Sequence, residues 1–177
     1  MAAACVEIGR YLGLPTGTNG VNADAHQPDA MAAIEKYSSS YLPLLSGAHI
    51  SGSAGTLSCQ STASLEQLVI DNDLFGTLLR HLQGIDTQIE RIGVDAIERV
   101  GPAGTFLLDD HTLTYMREEH ATLRLPAGEN RPSWEARGGI DAAAAAATIV
   151  RDVLEEPQRE FIARDQTREL ARLVADG

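Results

Sequence analysis

The stretch GAHISGSAGTLSCQSTASLEQLVIDND, residues 47–73, contains the strand, loop and helix start that decide the fold. HIS at 49–51 predicts a short buried strand, and the small and polar residues 52–60 predict a loop. Ser64 precedes an apolar pattern of helical period, and Gln67 stands three residues later, as in a capping box. The stretch therefore predicts a strand–loop–helix unit.

A similar unit lies just upstream. GLP at 13–15 leads into TGTNGVNADAHQ at 16–27, where Gly and Asn favour turns. Pro28 suits the first turn of a helix, and Pro43 is expected to kink or end it. The predicted apolar positions of this helix are Met31, Ile34, Tyr37, Tyr41 and Leu45.

The rest of the chain is predicted to be mostly helical. Thr87 and Glu90 have the spacing of a second capping box, and helix propensity alone explains the alanine run 142–147. The further predicted helices cover about 1–12, 87–100, 110–118, 141–154 and 159–174. The count is about six helices and about two short strands.

Composition limits the classes of function. The 177 residues, 44% of them hydrophobic, suffice for one domain with a core. A net charge of −11 argues against binding to nucleic acid or to an anionic membrane surface. There is no long uncharged apolar run and no cationic leader, so a cytoplasmic protein is expected.

The cysteines and histidines predict neither a disulfide framework nor a metal site. Cys5 and Cys59 are only two, and we expect both to be reduced. The five histidines show no ligand spacing such as HxxxH. Cys59 is expected to be a small buried hydrophobe rather than a reactive thiol.

Two stretches carry a resemblance to a known family: SLEQLVIDND at 64–73 and VGPAGTFLLDDHTL at 100–113. Together with residues 13–86, 96–119 and 133–156, they resemble the C-terminal part of the trimethylamine and glycine-betaine corrinoid methyltransferase family. The resemblance implies an α/β fold that is helix-dominated and supplies the C-terminal part of a (β/α)8 barrel.

The implied organisation is one domain. Residues 1–125 would form the last βα units of the barrel, with two parallel strands, and residues 126–177 a helical tail packed on it. A full barrel needs about 250 residues. The chain would therefore be a fragment, or would complete a barrel with another chain.

The implied activity is transfer of an N-methyl group from a methylated amine to the cobalt of a separate corrinoid protein. No tightly bound cofactor is expected, because the corrinoid (cobalamin) belongs to that partner. Family members that act on trimethylamine carry a pyrrolysine in this region, and this sequence has only standard residues. A quaternary amine such as a betaine is the expected substrate. The alternative is a non-catalytic fragment that completes a split barrel, and a homo-oligomer is a further expectation.

The implied site lies on the loops that follow the strands, since barrel active sites occupy the carboxyl ends of strands. We expect the turns 16–27 and 52–60 to open onto the same rim. On the turn 16–27, the substrate-binding candidates would form a polar wall, with Asp24 as counter-charge to the amine. The alternative is that these residues only stabilise the turn. These candidates are Asn19, Asn22, Asp24 and His26.

The second turn and its flanks give three more binding candidates. Ser58 and Gln60 stand, with Cys59 between them, where many relatives have Glu–x–Gly. His49, beside the predicted strand, is either in the site or a hydrogen-bonded core histidine. Asp71 and Asp73 are interpreted as structural charges, solvated or at helix contacts. No catalytic residue is assigned.

Overall fold

The computed structural model describes residues 1–157 and 162–175, and it is dominated by helices. Four two-residue strands lie within this part of the chain: β1 Gly17–Thr18, β2 Ile50–Ser51, β3 Thr56–Leu57 and β4 Thr62–Ala63. The helices there are α1 Ala2–Tyr11, α2 Ala30–Leu45, α3 Leu65–Leu82, α4 Ile89–Ile92, α5 Val94–Val100, α6 Asp110–Glu119, α7 Arg131–Ala136, α8 Ala142–Glu155 and α9 Arg164–Ala175. The start predicted for the last helix, at 159, lies outside the described residues.

The two predicted parallel strands are confirmed, but the expected burial of the strand at 49–51 was wrong, because Ile50 is 69% exposed. β1 pairs with β2 in parallel, with Gly17 opposite Ile50 and Thr18 opposite Ser51. β1 lies after GLP, within the segment predicted as a loop. β3 and β4 form an antiparallel hairpin that the sequence analysis did not predict. The closed barrel itself stays a prediction.

The face that α2 buries differs from the predicted one. Met31, Ile34 and Leu45 are each more than half exposed. The buried residues are instead Ala32, Lys36, Ser40 and Pro43. The prediction was wrong because the neighbours of this face include loop backbone, which accepts hydrogen bonds that apolar side chains cannot donate. Pro43 lies inside α2, which continues to Leu45 and is capped by Ser46, so the proline does not end the helix at its own position.

α3 begins as predicted, but only half of its capping box forms. Ser64 Oγ accepts a hydrogen bond from the Gln67 amide at 3.1 Å. The Gln67 side chain does not return to the cap; it donates to Asp71 Oδ1 at 2.7 Å. Asp71 and Asp73 are structural, as interpreted, yet they are buried rather than solvated.

The predicted helix 87–100 is divided at Gly93. Gly93 has a φ of 72°, which ends α4 and begins α5. Gln88, rather than Thr87, occupies the N-cap of α4 and makes no capping side-chain bond, so the second capping box was wrong. The next helix, α6, is capped by Asp109, whose carboxylate accepts from the His111 amide at 3.0 Å.

The alanine-rich helix α8 packs against α3. Its N-cap is Asp141, which accepts from the Ala144 amide at 2.8 Å. Ala145 and Ala146 are buried. The alanine run therefore serves packing as well as helix propensity, because its small side chains leave room for a neighbouring element. None of the helices in residues 1–157 and 162–175 has the length and hydropathy to cross a membrane.

Gly93→Ala is expected to reduce the free energy of unfolding by more than Gly84→Ala does. Both glycines have φ near 70°, a left-handed conformation that costs an L-residue about 1–2 kcal/mol. At Gly93 the added Cβ also lies 2.8 Å from His111 Nε2, whereas at Gly84 it meets nothing within 4 Å. Urea unfolding of both variants measures the difference, and equal losses would contradict a steric role for Gly93.

Candidate functional site

The loops that follow β1 and β2 meet at the carboxyl ends of the two strands. We call residues 19–29 the first loop and residues 52–63 the second loop. The Val21 amide donates to the Gly52 carbonyl at 3.2 Å, and the Cys59 amide donates to the Ala23 carbonyl at 3.0 Å. The predicted turns 16–27 and 52–60 therefore lie side by side at one edge of the small sheet, as expected, and we call this edge the rim.

Two pairs of side chains connect the loops across this rim. The Cys59 thiol donates to Asp24 Oδ1 at 3.0 Å. His26 Nδ1 and Ser58 Oγ lie 2.8 Å apart. Three of the predicted site residues, Asp24, His26 and Ser58, are thus brought together. Cys59 belongs to the same group and is exposed, so its expected burial was wrong.

Glu35 of α2 forms hydrogen bonds with the backbone of the first loop, a contact that was not predicted. Its Oε2 accepts from the Asp24 amide at 2.8 Å and from the Ala25 amide at 3.0 Å. A glutamate six residues after the N-cap Asp29 gives no sequence signal for this contact. Because both loop amides bind one carboxylate, the backbone at Asp24 is fixed in place.

An open cavity of about 610 Å³ adjoins the first loop, between α2 and the start of α1. Asn19, Asn22 and Asp24 line it. Asn22 Oδ1 is buried without a hydrogen-bond partner, as are Thr18 Oγ1 and Ser51 Oγ in the described part of the chain. Each of these oxygens is therefore a buried acceptor without a partner among the described residues, which is uncommon in a folded protein.

The second loop contains a short run of left-handed backbone. Ser58, Cys59 and Gln60 have φ values of 51°, 54° and 68°. Such a conformation is costly for residues other than glycine, and runs of it are rare. The turn is closed by Ser61, whose amide and hydroxyl both donate to the Ser58 carbonyl, at 3.0 and 2.6 Å. The run places Gln60 at an exposed position on the same loop.

His49 is not brought to the rim. It precedes β2, at the amino ends of the strands, whereas the loops lie at the carboxyl ends. Its Nδ1 accepts from the Thr16 amide at 3.1 Å. The ring is exposed, so this contact does not make it a core histidine.

A buried ion pair lies beneath the two loops. Lys36 Nζ is 2.8 Å from Asp71 Oδ2 and donates to the Val21 carbonyl at 3.0 Å. Asp71 Oδ2 also accepts from the Gly55 amide at 2.7 Å. Both side chains are fully buried. This pair was not predicted, although Lys36 and Ser40 stand one helical turn apart on the same face as Ala32, which offered a signal.

The Cys59 thiol is in an acidic environment. The hydrogen bond to Asp24 raises the pKa of Cys59 above its usual range, and desolvation and the charges of Asp24 and Glu35 act in the same direction. Because the thiolate is the nucleophilic form, this arrangement opposes a nucleophilic role for Cys59. In residues 1–157 and 162–175, no three His, Cys, Asp or Glu side chains are grouped to hold a metal ion.

Comparison with known proteins identifies relatives over nearly the whole chain. The family described as Trimethylamine methyltransferase (MTTB) matches residues 1–176. Trimethylamine methyltransferase MttB of Methanosarcina barkeri is 34% identical over 177 residues, which are 98% of this chain and 35% of that relative.

Two bacterial relatives are also similar. MttB of Desulfitobacterium hafniense (strain DSM 10664 / DCB-2) is 32% identical over 91% of this chain and 33% of its own length. The glycine betaine methyltransferase of D. hafniense (strain Y51) is 28% identical over 75% of this chain and 28% of its own length. The chain thus spans about a third of the length of these curated relatives.

Asp24→Asn is expected to shift the pH dependence of Cys59 modification to lower pH. The substitution removes the charge that raises the pKa of Cys59, so more thiolate is present at pH 7–8 and reaction with Ellman's reagent becomes faster. The measurement uses a Cys5→Ser background, with substitution of the exposed Asp152 of α8, Asp152→Asn, as the control for loss of one acidic charge. An unchanged profile in the Asp24 variant would show that the Asp24–Cys59 contact is not made in solution.

Proposed function

The chain belongs to the trimethylamine methyltransferase (MTTB) family, and we propose that it works as the C-terminal part of a methyltransferase for a methylated amine. The methyl acceptor in this proposal is the cobalt of a corrinoid carried by a separate protein. The meeting of two loops at the carboxyl ends of parallel β1 and β2 carries the proposal, because barrel enzymes bind substrates at that edge.

The proposed substrate site is the rim between the loops. Asp24 provides a carboxylate beside a cationic amine, and the polar groups of Asn19, Asn22, His26, Ser58 and Gln60 orient the rest of the molecule. Glu35 holds the backbone at Asp24, so the counter-charge is positioned before substrate arrives. The work of these residues is positioning and charge stabilisation rather than proton transfer.

A quaternary amine suits this chemistry. The corrinoid of the partner supplies the nucleophilic Co(I), to which the methyl carbon passes. The C–N electron pair leaves with the amine, so a quaternary substrate departs as a neutral tertiary amine and requires no general acid. The standard amino acids of the sequence and the similarity to a glycine betaine methyltransferase support this class of substrate.

The remaining strands of the barrel are proposed to come from an N-terminal part, either upstream in a longer chain or in a separate chain. The span of about a third of the relatives' length supports this. So does the exposure of Ile50 on β2, where 69% of the side chain is accessible although the strand is paired with β1. The second candidate, a non-catalytic piece that completes a split barrel, would leave the same apolar residues exposed, but the similarity to methyltransferases does not favour it.

Methyl transfer from glycine betaine to free Co(I) cobalamin tests the proposal. The chain is assayed alone and with an N-terminal barrel part taken from a relative such as glycine betaine methyltransferase. We expect loss of Co(I) absorbance and formation of methylcobalamin when both parts are present, with glycine betaine preferred to trimethylamine. No turnover with any quaternary amine in the combined mixture would refute catalysis and would leave the second candidate, a non-catalytic piece that completes a split barrel.

In the active mixture, Asp24→Asn is expected to raise KM for a quaternary amine by about fivefold, since one charge contact near the surface contributes about 1 kcal/mol. Asp152→Asn is the matched control. A KM unchanged by Asp24→Asn would remove Asp24 from the binding site without affecting the assignment of the reaction.

A further inference from the structure

We propose that the Lys36–Asp71 pair is a positioning device that holds the two rim loops in register with each other. Lys36 and Asp71 are positioning residues, since neither lies on the rim. The proposal uses the proposed function only to regard the rim as the substrate site. The observation that carries it is that each member of the pair binds the backbone of a different loop.

Each anchor is a single hydrogen bond to the backbone of one loop. Lys36 Nζ donates to the Val21 carbonyl in the first loop at 3.0 Å. Asp71 Oδ2 accepts from the Gly55 amide in the second loop at 2.7 Å. The two charged atoms are 2.8 Å apart. The pair therefore forms a continuous connection from one loop to the other through α2 and α3.

The pair is itself fixed on both helices. Gln67, one turn before Asp71 on α3, donates to Asp71 Oδ1 at 2.7 Å. On α2, Ser40 Oγ donates to the Lys36 carbonyl at 2.6 Å. Asp71 thus accepts three hydrogen bonds in a fully buried position, which is the condition under which a buried charge keeps a defined geometry.

The connection acts together with the direct backbone bonds between the loops, from the Val21 amide to the Gly52 carbonyl and from the Cys59 amide to the Ala23 carbonyl, to fix where the rim side chains meet. Val21 lies three residues before Asp24, and Gly55 lies four residues before Cys59. A shift of either loop by about one hydrogen-bond length would separate Cys59 Sγ from Asp24 Oδ1, which are 3.0 Å apart. The Asp24–Cys59 contact is therefore a local reporter of the register between the loops.

The test measures the pH profile of Cys59 modification by Ellman's reagent in the full chain with Cys5→Ser. The charged and titratable groups that face the thiol are Asp24 and Glu35, with His26 beside Ser58. Lys36→Met and Asp71→Asn are expected to move the profile to lower pH, as Asp24→Asn does. Modification near pH 8 should become about three- to tenfold faster, because the thiolate is the reacting form.

The matched control is Arg131→Met, which removes the exposed ion pair between Arg131 and Glu135 on α7. Its profile is expected to stay at that of the parent chain. If Lys36→Met or Asp71→Asn is folded by circular dichroism and keeps the parent profile, the positioning role is wrong. A shift seen without any methyl transfer in the assay above would uphold the positioning role and reject the proposed function separately.

A variant with one buried charge left unpaired can fail to fold. The double variant Lys36→Met/Asp71→Leu removes both charges and both anchors, and a shifted profile in this variant is again expected. If it also fails to fold, hydrogen exchange of the parent chain decides the matter. The Gly55 amide should exchange as slowly as the core amides of α3, and exchange as fast as that of exposed Ala54 would overturn the proposal.

Discussion

The structure depends on hydrogen-bond partners for the buried backbone of two loops. The two loops at the carboxyl ends of β1 and β2 approach α2 and α3 closely, and their buried carbonyl and amide groups need hydrogen-bond partners. Lys36 and Asp71 provide one partner to each loop and neutralise each other. This explains why the inner face of α2 carries Ala32, Lys36 and Ser40, while larger apolar residues remain exposed.

A second buried carboxylate of α3, Asp73, binds the backbone of a later segment of the chain. Asp73, two residues after Asp71, accepts from the amides of Arg124 and Leu125 at 3.0 and 2.8 Å. The stretch VIDND at 69–73 thus binds the backbone of a rim loop on one side and of the later chain on the other. Its carboxylates bind loop backbone and are buried, although the sequence analysis allowed them to be either solvated or at helix contacts.

Much of the local structure could be predicted from sequence because it rests on short-range signals. The cap at Ser64, the helix starts near 110 and 141 and the alanine-rich helix depend on neighbours within a few residues. The orientation of α2 and the left-handed run at 58–60 could not, because both follow from contacts with segments distant in sequence. For the site, position after a strand correctly grouped Asp24, His26 and Ser58. It misplaced His49, which comes before its strand, and it missed Glu35, whose contact is tertiary.

Lys36 is the one lysine of the sequence, and its side chain has no accessible surface. Acylating reagents, and enzymes that form isopeptide bonds, require an accessible side-chain amine. In the folded chain these reactions therefore have no lysine of residues 1–177 to attack. Incorporation of such a label at Lys36 would report the opening of α2 away from α3, which makes this single residue a natural marker for the integrity of the fold.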